Sequence, residues 1–247
     1  MPTLRRDVSV HTLSEFAELF SANGQLSHPT VQWYRGDGVL RRRQALLPSI
    51  ARSPSKITDE WSIYQRFRQA AAAFLPHANL LEWDWMLYMR HFGVHTRLLD
   101  WTESALVALY FAVERPEQDR YVGVVWCLDP LHLNDLAGYG REIQCAGVDK
   151  DLDKYTTESL KRATKDADFK PVALIAPRSF PRLVAQQGVF TITHREQVSL
   201  ETVGDPALLA RVRIPPTAKP RIRRSLAAVG MNRLSLYPEL QSLAQGG

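Results

Sequence analysis

The run Ala105–Val113, ALVALYFAV, constrains the fold more than any other stretch of the chain. Nine consecutive apolar residues leave a helix no polar stripe to turn toward water, so a helix here must be covered on all sides. Its N-terminus is thereby anchored deep in the fold. The chain has the means to cover it: 247 residues, 45% hydrophobic and 23% charged, match globular composition and not that of a disordered chain. At the upper end of one domain's length, this predicts a single domain over 1–247, with a core from about residue 10 to 245.

The elements around the run read in order. Thr12 as N-cap with Glu15 three residues later makes a capping box, Leu13, Phe16, Leu19 and Phe20 share a face, and Gly24 closes the helix. Residues 31–34 form a short strand that delivers Arg35 and Gly36 into a loop, followed by the basic Arg41, Arg42 and Arg43. A helix over 59–75 carries Trp61, Tyr64, Phe67, Ala71 and Phe74 and ends at Pro76; another over 80–91 carries Trp85, Met86 and Met89 and stops before Gly93. Residues 94–101 are then a loop or turn, and Thr102 caps the apolar helix. After Pro116 the pattern changes to strands at 121–128, 172–176, 188–193, 198–203 and 211–214. Between the first two, the polar segment 138–168 reads as an insert or mobile loop with one short helix, a place for a lid. Pro215, Pro216 and Pro220 lead to a last helix ending near Gly230. The expected class is α+β, a helical N-terminal half packed on a mainly antiparallel sheet from the C-terminal half.

Charge and cysteines narrow the function. A net charge of +5 and a pI near 9.3, carried largely by arginine, suit a polyanionic partner such as nucleic acid or a phosphorylated ligand, and equally a merely solvated surface. Cys127 and Cys145 lack paired spacing, which predicts a reducing compartment, with the cytoplasm as default. The residues from Met1 to Asp7 have no apolar core of the signal-peptide kind, and no run reaches the ~18 apolar residues of a membrane span, so neither export by that route nor membrane association is expected. HExxH, CxxC, P-loop, GxGxxG and GxSxG patterns are absent. His91 and His95 are four apart, but Gly93 interrupts the helix that would align them, and no metal is expected.

The densest set of unusual residues is His91, Phe92, Gly93, Val94, His95, Thr96, Arg97, Leu98, Leu99, Asp100, Trp101 and Thr102. Buried, Arg97 and Asp100 are too costly to leave unpaired, so an ion pair pinning the loop and a ligand-facing role both fit. Arg35, followed by Gly36 and Gly38, sits where guanidinium and backbone could approach a phosphate. Arg178, Arg182, Gln186 and Gln187 form a second polar approach before Gly188, where Gln187 either bonds a sugar or base or belongs to a turn.

Together these stretches resemble the FRG domain family, whose motif is an aromatic residue followed by arginine and glycine, here Tyr34, Arg35 and Gly36. The similarity continues through Leu47 and Pro48, the helix with Glu60, the tryptophan-rich helix and the run HFGVHTRLLDWTESALVALYFAV from His91 to Val113. Gln187, Gly188 and Phe190, and the ending from Gly230 through Leu236, Pro238 and Leu240, resemble later signatures of the family. Met89, Arg90, His91 and Phe92 stand where the family leads one to expect alanine, glutamine and two histidines, so a role for His91 carries over better than one for position 92. The resemblance implies bacterial or phage conflict biology more firmly than a reaction.

The leading expectation is an ADP-ribosyltransferase-like fold and activity that consumes NAD as a toxin or defence effector. Arg35 at the end of the first strand resembles the arginine that clamps the dinucleotide in such folds, and the spacing from Asp100 to Tyr110 and Phe111 resembles DNA-modifying members. Arg35 then meets the pyrophosphate or nicotinamide ribose, His91, Arg97 and Asp100 shape the site, and Tyr110 stacks on nicotinamide. Tyr34, Gly36, His95, Thr96, Trp101 and Gln187 complete the binding set. The carboxylate that such chemistry needs has Glu196, Glu201 and Glu60 as candidates. A metal-independent nuclease using a histidine with Arg35 and Arg97 is the alternative enzyme, and a non-enzymatic sensor or interaction domain the alternative to both. The expected partners are a nucleic acid or protein acceptor and a neutralising antitoxin or defence partner.

Overall fold

A computed structural model describes residues 4–28, 30–41, 46–52, 59–75, 79–163, 169–195 and 198–239. The apolar run is α5 (Ala105–Val113), buried along most of its length, with Ser104 as N-cap accepting the Val107 amide. Thr102 is not the cap; its Oγ1 accepts the Ser104 amide from two positions further out. Burial of each large aliphatic residue here stabilises the fold by about 1.5–3 kcal/mol. Those contacts come from a sheet on one side and from α1 (Leu13–Glu18) and α9 (Lys219–Ala228) on the other. The Thr12 cap on α1 forms as the sequence predicts, with Thr12 Oγ1 accepting the Glu15 amide.

The sheet among the described residues has eight strands. They are β1 (Arg6–Ser9), β2 (Trp33–Asp37), β3 (Leu98–Thr102), β4 (Gly123–Leu128), β5 (Gln144–Cys145), β6 (Val172–Ile175), β7 (Gly188–Ile192) and β8 (Leu209–Ile214). Their order is β1-β8-β4-β2-β3-β7-β6-β5, parallel only in the two outermost pairs and antiparallel elsewhere. The chain is thus the mixed helix and sheet fold expected, with a mainly antiparallel sheet.

Its strands do not all come from the second half. β1, β2 and β3 belong to the first half, and β2 and β3 form the centre. Residues 98–102, expected in a turn, are a strand buried on both faces except at Asp100, a pattern without the alternation that marks a half-exposed strand. Arg35 and Gly36 lie inside β2 and not in a loop after it. In place of the strand expected at 198–203 there is a 3-10 turn at Leu200–Thr202, where the buried Glu201 carboxylate accepts the Leu46 amide and the Ser199 hydroxyl.

The segment expected as a lid is instead packed where it is described. Leu152 and Tyr155 are buried beside α4 (Glu82–His91), and α7 (Thr157–Arg162) buries Leu160. Residues 164–168, Arg42, Arg43, Pro76, Glu196 and Leu240 lie outside the described residues. No described helix is long and apolar enough to cross a membrane.

Candidate functional site

The two central strands barely touch. β2 and β3 share one register pair, Tyr34 with Thr102, whereas β2 pairs with β4 over five positions and β3 with β7 over five. The sheet therefore opens along this seam into two four-stranded halves, and a cleft of about 800 Å³ lies there, lined by residues of both strands. That is within the roughly 300–1,000 Å³ of small-molecule sites.

On β2 the motif residues divide by strand alternation. Gly36 faces α5, and a Cβ there would sit 1.8 Å from the Ala108 carbonyl oxygen. The glycine is needed because a helix backbone lies against the strand. Arg35 points the other way and reaches across the seam, donating from Nη1 to the Asp100 carbonyl at 2.6 Å. It thereby takes an acceptor on β3 that a closed ladder would give to a backbone amide. Among the described residues this is its one hydrogen bond, so most of its five donors remain for the cleft. Burial lowers its pKa below the usual arginine value, opposed by the Asp100 charge.

Asp100 itself is held by Arg90 from the last turn of α4, Nε at 2.8 Å and 3.0 Å from its two oxygens and Nη2 closing the fork. Burial of the surroundings pushes this carboxyl up, but Arg90 outweighs it and leaves the pKa below the ordinary aspartate value. The Asp100 side chain is still 41% exposed, so the pair stands in the cleft wall and not in the core. Arg52, at the end of α2 (Ser49–Arg52), lines the same cleft with no hydrogen-bond or ion-pair partner among the described residues. Burial and then the neighbouring Arg41 lower its pKa. In all, six arginines face three carboxylates among the described lining residues, which gives the cleft an excess of positive charge.

Glu114 is the one glutamate among the described lining residues, at the C-cap of α5. Burial raises its pKa, against Arg115 at 3.4 Å and the Tyr237 hydroxyl, which donates to it at 3.3 Å. Tyr237 follows α10 (Arg233–Leu236), packs edge-on to Phe111, and lies under the guanidinium of Arg182 at 4.7 Å. On the opposite rim His91 stacks parallel to Phe180, ring centres 4.2 Å apart. Burial lowers the His91 pKa below the usual value, opposed by the Glu239 carboxylate 3.9 Å away.

The structure brings Tyr34, Arg35, Gly36, His91, Asp100 and Trp101 to this cleft, although the Trp101 indole is buried and donates to Thr191 Oγ1 at 3.0 Å. Arg97, Thr96, His95, Tyr110 and Gln187 do not line it. The Arg97–Asp100 pair weighed from sequence does not form. Arg97 is fully buried with Glu60, Nε to the carboxylate at 2.5 Å, and its remaining nitrogens donate to the Thr193 and Tyr155 carbonyls. Thr96 is fully buried, His95 is exposed, and the Tyr110 ring sits in the core beside Phe111, which takes the cleft position. Gln187 occupies a left-handed turn at φ 46°, its carbonyl accepting the Glu103 amide.

Sequence reasoning missed Arg52, Arg90, Glu114 and Tyr237, whereas Arg182 and Gln186, read there as a second polar approach, do line the cleft. Glu114 carried a signal: a carboxylate at the C-terminus of a wholly apolar helix opposes the helix dipole, which calls for another reason to be there. Among the described residues no group of three or more His, Cys, Asp or Glu is arranged to hold a metal ion.

Residues 31–121 match the model of the FRG domain family. Over this stretch, less than half of its length, the chain is similar to FRG domains. No curated protein and no solved structure matches the chain. The FRG match is narrower than the resemblance read from sequence, and the Gln187 to Phe190 and 230–240 signatures lie beyond it. It spans β2 to α5 and supplies Arg35, Arg52, Arg90, His91, Asp100 and Glu114. Residues beyond the FRG match, notably Phe180, Arg182 and Tyr237, close the cleft from the other side.

Proposed function

We propose that this cleft binds NAD, and that the chain splits the bond between nicotinamide and ribose and passes ADP-ribose to a macromolecular acceptor. One observation carries the reading: Arg35 and Arg52, with donors to spare, share a cleft at an open sheet seam with Glu114 and the rings of Phe111 and Tyr237. Guanidinium forks suit the two phosphates, and the aromatic walls suit flat heterocycles. Phe111 takes the stacking role that the sequence reading gave to Tyr110.

In the reaction proposed, the C1′–N bond breaks and its electron pair stays on the nicotinamide nitrogen, so a neutral nicotinamide leaves. The oxocarbenium-like cation left on the ribose is stabilised by the Glu114 carboxylate. An oxygen or nitrogen of the acceptor then attacks C1′, and its proton passes to Glu114, which burial makes more basic than an ordinary glutamate. Arg90 keeps Asp100 ionised and oriented, and with it the carbonyl that fixes Arg35. Draining NAD or marking a macromolecule suits an effector in conflict between cells and phages, restrained by a neutralising partner.

The metal-independent nuclease is the second reading, favoured by the His91 imidazole, its pKa lowered by burial, in a cleft rich in arginine. Incubation of the protein with NAD, then with NAD plus nucleic acid or cell extract, separates the two by mass spectrometry of nicotinamide and modified products. Nicotinamide release that needs Arg35 and Glu114 is expected. Nucleic-acid cleavage without NAD, in the absence of nicotinamide release, would move the nuclease ahead.

A further inference from the structure

Four rings stand outside the buried clusters or at their margin, on the rim where the cleft meets solvent. Tyr88, His91 and Phe92 are spaced at i, i+3 and i+4 on the end of α4 and so share one face. Phe180, at the start of α8 (Pro181–Ala185), inserts among them. It lies parallel to His91 at 7° and meets Tyr88 edge-on at 4.7 Å. Phe92 meets His91 at 4.9 Å and lies near-parallel to Tyr88 at 6.5 Å. Phe92 is 66% exposed and neither it nor Tyr88 joins a buried cluster, so core packing does not account for them.

The strip is continuous with the arginine cleft, because His91 and Phe180 line both. Arg182, two residues after Phe180, has no carboxylate partner among the described residues. Flat rings interleaved with unpaired guanidinium groups form the surface that unpaired nucleobases on a phosphodiester backbone require: rings stack bases, and cations follow phosphates. A duplex hides the base faces and would use only the charge.

We infer that Phe92, Tyr88, Phe180 and His91 form a stacking platform for single-stranded nucleic acid that feeds an unpaired base toward the arginine cleft. This rests on the proposed function only in making that strand the acceptor. Binding itself needs no NAD, so the two ideas fail separately.

The test is fluorescence anisotropy without NAD, using fluorescein-labelled mixed-sequence 20-mers as single-stranded DNA, single-stranded RNA and DNA duplex. Single strands of at least one kind are expected to bind about tenfold more tightly than duplex, weakening as salt rises. The DNA and RNA arms identify which strand is preferred. Phe92→Ala should weaken binding about fivefold or more with an unchanged melting temperature, and Phe92→Trp should restore it. The inference is overturned by the absence of single-strand binding, by duplex binding equally well, or by Phe92→Ala binding like the parent. Displacement of the strand by an equal charge of polyglutamate would likewise overturn it, in favour of an acidic protein partner.

Discussion

Two arginines seven residues apart in one stretch meet two carboxylates in opposite ways. Arg97 is sealed with Glu60 in the core, each of its guanidinium nitrogens donating to a carboxylate or a backbone carbonyl. Arg90 holds Asp100 in the wall of an open cleft, where the pair braces Arg35, most of whose donors face the cleft. Composition does not distinguish them; placement does. Arg97 falls just before β3 and ties it to α3 (Glu60–Ala71), whereas Asp100 lies within β3 at the seam. A buried pair resists loss of one partner because the other charge is then stranded, while an open pair can be re-solvated.

The comparison breaks first at Arg97. Arg97→Ala strands Glu60 and should cost about 3–5 kcal/mol, read as a large fall in the urea midpoint. A variant as stable as the parent would show that the buried pair does not hold β3. Next comes Gly36→Ala, which forces α5 off β2 because its Cβ meets Ala108 backbone; about 1–3 kcal/mol is expected, and a neutral effect would contradict the close helix approach.

Asp100→Asn is expected to cost less and to depend on pH. The folded Asp100 pKa is lowered, so its contribution is present above the unfolded value near 4 and is lost as pH falls through the folded value. The stability gap between parent and variant should therefore be open at pH 7 and close below about pH 4; a gap independent of pH would break the assignment. Smallest is Glu114→Gln. The Glu114 pKa is raised, so the parent loses stability as pH rises through the folded value, and the neutral variant does not. Melting scans should show the variant gaining on the parent at pH 8 and not at pH 4.

What the sequence made legible follows from burial. α5 is found to the residue because an all-apolar run has one solution, and β4, β6 and β7 are found within a residue or two from their apolar runs. β3 reads as a turn in the sequence because its two faces are both covered, leaving no alternation, and its one residue that is not buried, Asp100, is charged. The apolar-polar alternation at 198–203 suggested a strand, but Glu201 is drawn inward by the Leu46 amide and Ser199 hydroxyl, which bends the segment into a turn. At the site, Arg35 and Asp100 were visible because polar groups among apolar ones demand partners. Arg90 was not: an arginine in the last turn of a helix reads as a surface residue that suits the helix dipole. Arg182 and Tyr237 reach the cleft only through tertiary folding from far along the chain.

The most direct test of this division between a structural and a working arginine is nicotinamide release from NAD by the parent and by Arg35→Ala, with chemical denaturation run on both. Losing one hydrogen bond to a backbone carbonyl, Arg35→Ala should keep stability within about 1–2 kcal/mol of the parent and lower nicotinamide release by about 100-fold or more. A folded Arg35→Ala variant that releases nicotinamide at the parent's rate, or a parent that releases none with any acceptor, would contradict the account.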